Sequence, residues 1–412
     1  MSGTDAPGIL IVVPSLPKWL SDFNILSSAL AEAGYDVEML YPRANGRADS
    51  GWDSARIIAA SEAGLHPAIR RRRIPFMRNG GRLRVRHLLF TAMQAMKDAA
   101  AGNRLFILWS AFPALMFGPW LRLFNRPCLY LITGLGMQFS DRLRGSLRHR
   151  TARATYRFLF SGPQAMVIVH NREDRQYLID ETGIDPGRVI VTGGCGVDPE
   201  SLPFRSAVRV NEVPVILVPS RLLRDKGIME ASEASAMLSA RGVAHRMLFT
   251  SNPVAGRGDA LTQEELDRAA APPGVEFTGF CDDLADLYAQ ADLVCIPSWY
   301  REGLQTAILE AASAGCPLVA CDNVGARDFL RPGVDAVVVP PRQPVALADA
   351  LESVIRDSAR AEEMRRSAYA HFLSGFTQKH MLKITLEVLS RLGIDGMVRD
   401  EGARDPSLRT AG

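Results

Sequence analysis

Residues 298–315 read Ser-Trp-Tyr-Arg-Glu-Gly-Leu-Gln-Thr-Ala-Ile-Leu-Glu-Ala-Ala-Ser-Ala-Gly and carry two carboxylates eight positions apart. Glu302 opens a predicted loop, and Glu310 lies on the apolar helix that the following residues predict. At a rise of 1.5 Å per residue, a helix separates two such positions by about 12 Å. The stretch therefore predicts a loop and helix that present carboxylates at the two ends of an elongated site.

A nucleotide sugar has the length and the hydroxyl groups that this spacing suits. The backbone N–H groups from Gly303 to Thr306 would face a diphosphate at the positive end of the helix dipole. Glu302 would then lie near the hexose and Glu310 near the ribose. The alternative is that Glu302 only sits near a helix N-terminus and that Glu310 is a solvated helix residue.

Residues 215–227, Val-Ile-Leu-Val-Pro-Ser-Arg-Leu-Leu-Arg-Asp-Lys-Gly, lie upstream and predict a buried strand that ends in a cationic loop. The loop presents Arg221 and Lys226 before a helix that begins at about Ile228. Two cations at the carboxyl end of a parallel strand suit a phosphate-binding crevice. The alternative is a pair of ordinary surface charges.

With both segments considered together, the chain resembles glycosyltransferase family 4, whose members are retaining enzymes of the GT-B fold. Arg221 and Lys226 match the family's diphosphate-binding pair, and Glu302 and Glu310 match the ends of its E-x7-E motif. Further matching segments are residues 193–198 (Gly-Gly-Cys-Gly-Val-Asp), Gly279-Phe280, Asp282-Asp283-Leu284 and Pro340-Pro341. The resemblance implies catalytic roles for Glu302, Arg221 and Lys226. The donor-binding residues that it implies are Arg221, Lys226, Glu302, Gly303, Leu304, Gln305, Thr306 and Glu310.

Short apolar strands alternate with amphipathic helices in both halves, which predicts an α/β protein with parallel sheets. The expected architecture is GT-B, with two doubly wound Rossmann-like domains facing a central cleft. The predicted strands are 9–13, 36–40, 105–108, 129–132, 166–170 and 189–192, then 215–218, 246–250, 275–278, 293–296, 318–320 and 336–339. The predicted domains are an acceptor-binding domain (1–205), a nucleotide-sugar-binding domain (206–375), a helix that returns to the first domain by resemblance (376–397) and a disordered tail (398–412).

The composition is that of a soluble globular protein, with 47% hydrophobic and 23% charged residues. Its six cysteines form no C-x-x-C pair, and no secretory signal precedes the first predicted strand. We therefore expect a cytoplasmic protein without a structural metal. Residues 105–124 are nearly all apolar, but Ser110, Pro113, Gly118 and Pro119 interrupt them. This segment predicts a strand, a turn and a helix in place of a membrane span.

The N-terminal half is basic: residues 1–205 carry 26 Lys and Arg against 17 Asp and Glu, and residues 206–412 carry 22 against 28. Two runs concentrate this charge, with apolar residues such as Leu65, Ile69 and Phe90 interleaved in the first. The pattern predicts attachment to an anionic membrane surface at the inner face of the cell membrane. The alternatives are a nucleic-acid patch, which the apolar residues disfavour, and a solvated basic face. The runs are Arg70, Arg71, Arg72, Arg73, Arg78, Arg82, Arg84 and Arg86, then Arg142, Arg144, Arg148, Arg150, Arg153 and Arg157.

The candidate residues for binding the acceptor lie in the first predicted domain. Residues 14–19, Pro-Ser-Leu-Pro-Lys-Trp, stand where many family members have a glycine-rich loop. Residues 133–136, Thr-Gly-Leu-Gly, resemble a segment of bacterial enzymes that build O-antigen, capsule and exopolysaccharide units on polyprenyl-diphosphate-linked sugars. A tight turn and a structural histidine are the alternatives for the glycines and for His170. The acceptor-side candidates are Ser15, Thr133, Gly134, Gly136 and His170.

The expected function is the transfer of a hexose from a nucleotide diphosphate sugar, taken as a UDP-sugar, to a lipid-linked glycan acceptor in surface polysaccharide synthesis. No cofactor or metal is expected, because Asp282 and Asp283 precede a predicted helix and suit N-capping. A soluble small-molecule acceptor is the first alternative. A nicotinamide-dependent oxidoreductase would need a Gly-x-Gly-x-x-Gly turn after the first strand, where the chain has Pro-Ser-Leu-Pro. A non-catalytic scaffold on the membrane surface would have lost Glu302, Lys226 or Arg221.

Overall fold

The structure, a computed structural model, describes residues 8–13, 20–42, 65–74, 78–79, 82–83, 85–101, 104–135, 139, 145–207, 211–253, 259–279, 281 and 284–393. The chain divides between Thr192 and Gly193 into two compact units. Residues from His380 onward group with the first unit.

The first unit contains a seven-stranded parallel sheet in the order β3-β2-β1-β6-β7-β8-β9. Apolar runs of three to six residues form all its strands except the basic β3, and both faces of the sheet are covered, as a parallel sheet requires. The strands are β1 (Gly8–Val12), β2 (Val37–Pro42), β3 (Arg70–Ile74), β6 (Arg104–Trp109), β7 (Cys128–Ile132), β8 (Ala165–Val169) and β9 (Val189–Val191). The short strands β4 (Arg78–Asn79) and β5 (Arg82–Leu83) pair with each other in antiparallel fashion.

The helices of the first unit lie in the crossovers between these strands. Since parallel crossovers are right-handed, the helices that precede β6, β7 and β8 lie on one face of the sheet. The helices are α1 (Leu20–Glu32), α2 (Val85–Ala100), α3 (Ala111–Leu123), α4 (Leu147–Phe160) and α5 (Arg172–Thr182), and all but the first two residues of α12 (Gln378–Arg391) group with them. The apolar segment 105–124 forms β6, the turn at Ser110 and α3, which is the predicted arrangement.

The first arginine run forms β3, a strand that the sequence did not predict. Arg70 donates to Asp36 with its Nε 2.9 Å from Oδ1, and Arg72 donates to Glu38 at 2.8 Å and to Asp98 at 3.0 Å. The acidic neighbours therefore neutralise alternate arginines and allow a basic strand to pair with β2. The interpretation of this run as an open basic surface is wrong for Arg72, which is part-buried between two carboxylates, whereas Arg70 is paired but remains half exposed.

Two of the apolar residues predicted to anchor that run in a membrane are core residues. Leu65 is 5% exposed and Ile69 is 3% exposed. Both lie in the segment that leads into β3, and both side chains are buried. Phe90, by contrast, is exposed on α2.

The second unit contains a six-stranded parallel sheet in the order β12-β11-β10-β13-β14-β15. Its strands are β10 (Val215–Val218), β11 (Arg246–Phe249), β12 (Val275–Phe277), β13 (Leu293–Ile296), β14 (Leu318–Cys321) and β15 (Val337–Val339). Its helices are α6 (Ile228–Ala240), α7 (Gln263–Ala270), α8 (Leu284–Gln290), α9 (Thr306–Ala314), α10 (Pro344–Arg356) and α11 (Ser358–Gly375). Every strand predicted for this half forms, because each is a short, mainly apolar run between turn residues.

The sequence placed the end of the first domain at residue 205, whereas the compact units divide after Thr192. Residues 193–207 pack on the second unit. The Phe204 ring stacks on Tyr369 at a centroid distance of 4.2 Å. The Arg205 guanidinium donates to the carbonyl oxygens of Ala291 and Gly315 at 2.6 and 3.1 Å.

Candidate functional site

The strand order of the second sheet reverses between β10 and β13. The chain moves outward from β10 to β12 and then returns to build β13, β14 and β15 on the other side. Loops diverge at the carboxyl ends of strands where the order reverses, and they leave a crevice there. The loops that follow β10 and β13 carry the predicted donor residues.

Gly227 holds these two loops together. Its φ is +74°, and a Cβ atom at this position would lie 2.2 Å from the carbonyl oxygen of Pro297. Only glycine permits both the left-handed backbone and this close approach. The backbone N–H groups of Trp299 and Tyr300 also donate to the Asp225 carbonyl oxygen, each at 3.1 Å.

Lys226 and Glu302 meet at this junction. The Lys226 Nζ lies 2.5 Å from Glu302 Oε1, with side-chain exposures of 12% and 21%. The same Oε1 accepts from Gln305 Nε2 at 2.5 Å and from Ser298 Oγ at 3.3 Å. Two predicted donor residues that are 76 positions apart in the chain therefore share one polar cluster.

Arg221 lies on the same loop as Lys226 and is exposed. Its side chain makes no hydrogen bond or ion pair with the part of the chain that the structure describes. The loop is anchored by its neighbour Arg224, whose guanidinium donates to both carboxylate oxygens of Glu265 at 2.8 and 2.6 Å. Arg221 is therefore a cation on an anchored loop that is available to an anionic ligand.

The loop after β14 fixes the backbone around Glu302. Asn323 donates from Nδ2 to the Ser298 carbonyl oxygen at 2.9 Å, and its Oδ1 accepts from Ala326 N at 3.0 Å. A Cβ atom at Gly325 would lie 2.1 Å from the Gly303 carbonyl oxygen. The backbone of Glu302 and Gly303 is therefore packed directly against Gly325.

Helix α9 begins at Thr306. Gly303 and Leu304, whose N–H groups were predicted to face the diphosphate, therefore precede the helix. No side chain caps its first turn, and Gln305 at the N-cap uses its amide nitrogen on Glu302 instead. The Gln305 Oε1 is buried and has no hydrogen-bond partner among the described residues. Leu304 is 4% exposed and belongs to the core of the second unit.

Glu310 is a buried residue of α9, 5% exposed, and not a solvated one. Its Oε2 accepts a hydrogen bond of 2.8 Å from the hydroxyl of Tyr288 on α8. Burial raises the pKa of Tyr288 well above its usual value, and the Glu310 charge raises it further. Tyr288 therefore remains a hydrogen-bond donor and orients the carboxylate. Tyr288 was not predicted from the sequence, because this tyrosine occupies what looks like an ordinary apolar position of a short helix.

A cation on an aromatic ring lies beside the cluster. The Arg342 guanidinium lies 3.8 Å from the centre of the Trp299 ring, and Arg342 has a φ of +59°. Arg342 follows β15 and Pro340-Pro341, whereas Trp299 follows β13. The loops after β10, β13, β14 and β15 therefore carry the polar groups at one edge of this sheet. The contact of Arg342 with Trp299 could not be predicted from the sequence around Arg342, because it joins two separate loops of the fold.

The acceptor-side candidates that the structure describes lie in the first unit. Thr133 and Gly134 follow β7, and His170 follows β8, the neighbouring parallel strand. They therefore end at the same edge of the first sheet. His170 is 5% exposed, and burial lowers its pKa to about 4, so its imidazole is neutral at pH 7. Ser15 and Gly136 lie outside the described residues.

Other predictions have mixed outcomes. All six cysteines are free, and Cys316 and Cys321 are buried beside and within β14. Asp282, Asp283 and the tail from residue 398 lie outside the described residues. In the part of the chain that is described, no three His, Cys, Asp or Glu side chains are grouped to hold a metal ion, and independence of metals stays a prediction. None of the described helices has both the length and the apolar character to cross a membrane.

Comparison with known proteins agrees with this geometry. Residues 213–357 match the sequence model of the family described as glycosyl transferases group 1. This match covers β10 to α10 and thus the whole cluster around Lys226, Glu302 and Glu310. It confirms the predicted resemblance at the level of the family.

The chain is also similar to individual proteins. It is 30% identical over 171 residues to the alpha-D-kanosaminyltransferase of Streptomyces kanamyceticus, which is 40% of this chain and 42% of that protein. The matched region spans less than half the length of this relative.

Solved structures match nearly the whole chain. They include the sucrose-phosphate synthase of Thermosynechococcus elongatus (TM-score 0.73, 19% identity, 95% of this chain and 100% of that one). HepE of Anabaena in complex with UDP-glucose gives a TM-score of 0.72 at 19% identity, over 93% of this chain and 100% of that one. At this identity the likeness shows the fold, and the predicted pair of Rossmann-like domains is confirmed.

Proposed function

We propose that the protein is a retaining glycosyltransferase that transfers a hexose from a nucleotide diphosphate sugar, specifically a UDP-sugar. The observation that carries the proposal is the Lys226–Glu302 pair at the point where the second sheet reverses its strand order. In this proposal Lys226 is the cation that binds the diphosphate, and Glu302 is the carboxylate that binds sugar hydroxyls. The complex of HepE with UDP-glucose supports the choice of UDP.

In this proposal the diphosphate lies against Arg221, Lys226 and the uncapped first turn of α9. The exposed Arg221 guanidinium and the Lys226 ammonium group supply positive charge, and the helix dipole adds to it. Glu310 accepts from the ribose hydroxyls while Tyr288 holds its second oxygen. Glu302 accepts from hexose hydroxyls through the carboxylate oxygen that the cluster leaves available.

The transfer proceeds at a single face of the sugar. The bond between the anomeric carbon and the phosphate oxygen breaks as the acceptor oxygen bonds to the same face of that carbon. The departing phosphate oxygen takes the acceptor's proton, and UDP leaves. Arg221 and Lys226 stabilise the charge that develops on the diphosphate, an effect worth several kcal/mol in such sites, about 3 kcal/mol per well-placed donor. Glycosidases instead use two carboxylates that flank one bond, whereas Glu302 and Glu310 lie on a loop and on the helix after it.

The acceptor in this proposal is a polyprenyl-diphosphate-linked or other glycan at the inner face of the cell membrane, as in bacterial surface polysaccharide synthesis. Thr133 and Gly134 support this acceptor. They directly follow β7, beside the end of the neighbouring strand β8. They also belong to the Thr-Gly-Leu-Gly segment that resembles such enzymes. A soluble small-molecule acceptor is the second candidate. The chain is also 36% identical over 107 residues to the D-inositol 3-phosphate glycosyltransferase of Salinispora tropica, and inositol phosphate is a soluble small molecule, which favours that candidate.

Incubation of the purified protein with a panel of UDP-, GDP- and dTDP-sugars in EDTA tests the donor proposal without knowledge of the acceptor. We expect slow release of the nucleoside diphosphate from a UDP-sugar, and its loss in Lys226→Ala. The Arg268→Ala variant serves as a control, because Arg268 is an exposed cation on α7. Release that requires added Mg²⁺ or Mn²⁺ would contradict charge neutralisation by the protein alone. Failure to cleave any nucleotide sugar would contradict the transferase assignment.

A further inference from the structure

Three consecutive helices of the first unit form one continuous layer. Helix α2 packs against α3, and α3 packs against α4. The three crossovers that contain them all lead in the same direction across the sheet, so the helices cover the same face. Whatever these helices expose is therefore presented on one side of the unit.

This layer exposes a concentration of large apolar side chains. Among the described residues of the first unit, every exposed large hydrophobic side chain lies on it. They are Leu89 (66% exposed), Phe90, Met93 and Met96 on α2, Leu123 and Phe124 at the end of α3, and Leu147 and Phe158 on α4. The exposed large hydrophobic residues of the second unit are scattered over several elements (Val213, Val334, Val345 and Leu373).

The apolar groups of α2 and α3 are connected. Leu89, Met93 and Met96 recur at intervals of four and three residues and so lie along one side of α2. Arg126, just beyond α3, donates to the Ala99 carbonyl oxygen at 2.8 Å and ties the end of α3 to the end of α2. This tie places Leu123 and Phe124 next to the Met96 end of the stripe. Exposed apolar surface that is continuous over two helices marks an interaction face.

The charge on this layer has one sign. The only acidic residue in α2, α3 and α4 is Asp98, which is 8% exposed and accepts from Arg72 at 3.0 Å. The exposed cations Lys97, Arg148, Arg150 and Arg157 form no ion pair with any described residue. Arg153 pairs with Glu181 of α5 at 3.0 Å, which marks the border of the layer.

We propose that this face of α2, α3 and α4 binds an anionic lipid bilayer. The aliphatic, methionine and phenylalanine side chains would enter the boundary between headgroups and acyl chains, and the unpaired cations would contact lipid phosphates. A second copy of the chain is a poor occupant, because two such faces would bring the cations of α2 and α4 together with no exposed acid on α2, α3 or α4 to pair with them. Arg70 and Arg72 of β3 already have acidic partners, so the proposal assigns the binding to the cations of the helices and not to these two arginines.

Flotation of the full-length protein with liposomes tests this assignment, and it requires neither donor nor acceptor. We expect binding to phosphatidylglycerol/phosphatidylcholine liposomes, no binding to pure phosphatidylcholine, and weaker binding as salt increases. Leu89→Ser/Met93→Ser should abolish flotation, whereas Val345→Ser/Leu373→Ser removes two exposed apolar residues from the second unit and should leave it unchanged. Arg150→Ser/Arg157→Ser should weaken partitioning about thirtyfold at low salt. The matched loss of two cations in Arg268→Ser/Arg360→Ser should not weaken it.

Equal flotation of the layer variants and their controls would overturn the proposal, and so would a wild-type protein that stays in solution with anionic liposomes. Light scattering on the same samples identifies the competing occupant. A wild-type dimer that Leu89→Ser/Met93→Ser converts to a monomer, without any lipid binding, would show that the face joins two copies. Release of nucleoside diphosphate in solution reports on the donor site separately, so the layer variants should retain it.

Discussion

The ammonium group of Lys226 and the carboxylate of Glu302 form an ion pair of 2.5 Å at the carboxyl edge of the second sheet. Because Glu302 is assigned to the hexose and Lys226 to the diphosphate, their variants should fail in different ways. Glu302→Ala should lower turnover roughly tenfold to a hundredfold, since a charge-assisted contact is worth about 1.5 to 3 kcal/mol. It should still bind UDP, which has no hexose. Calorimetric titration with UDP checks this, and a Glu302→Ala variant that no longer binds UDP would refute the division of roles.

Tyr288 should act as a positioning residue for Glu310. Tyr288→Phe keeps the ring that fills the core and removes only the hydroxyl that donates to Glu310 Oε2. We expect weaker binding of UDP by about tenfold, within the range of one lost hydrogen bond to a charged group. Binding of inorganic diphosphate, which has no ribose, should not change. A Tyr288→Phe protein that loses affinity for both ligands equally would indicate a general structural defect.

Gly325→Ala should impair the site more than the fold. Its added methyl group would overlap the Gly303 carbonyl oxygen, which would lie 2.1 Å away, and would displace the backbone that carries Glu302. Gly375→Ala is the control, because no atom lies within 4 Å of a Cβ atom at that position. Donor hydrolysis should fall at least tenfold in Gly325→Ala and stay normal in Gly375→Ala. Normal hydrolysis in both variants would show that the loop position does not matter.

The buried His170 should make the first unit less stable in mild acid. Its folded pKa is lowered to about 4 by burial, whereas an unfolded histidine titrates near 6.5. The unfolded state therefore takes up the proton first, and stability is lost as the pH falls from about 6.5 towards 4. The loss is about 1.5 kcal/mol between pH 6.5 and 5, because the unfolded histidine is half protonated at pH 6.5 and the slope approaches its full value of about 1.4 kcal/mol per pH unit only below that. Urea unfolding of the wild type and His170→Gln at both pH values measures it, and an equal pH dependence in the two proteins would contradict this role.

The fold followed from the sequence wherever a strand is a short, mainly apolar run, as for all six strands of the second sheet. It did not follow for β3, whose arginines form a strand only because Asp36, Glu38 and Asp98 come from other elements. Lys226 and Glu302 were predictable from motifs, since each follows an apolar strand. Tyr288 and Arg342 were not, because their roles depend on contacts between separate segments that no local pattern records.

Titration of the protein with UDP and a UDP-sugar in the presence of EDTA tests the central assignment, a nucleotide diphosphate site between the loops after β10 and β13. We expect saturable binding of both ligands to the wild type, no binding of NAD, and affinity about tenfold to a hundredfold weaker in Lys226→Ala. Failure of the wild type to bind any nucleoside diphosphate, or undiminished binding by Lys226→Ala, would contradict it.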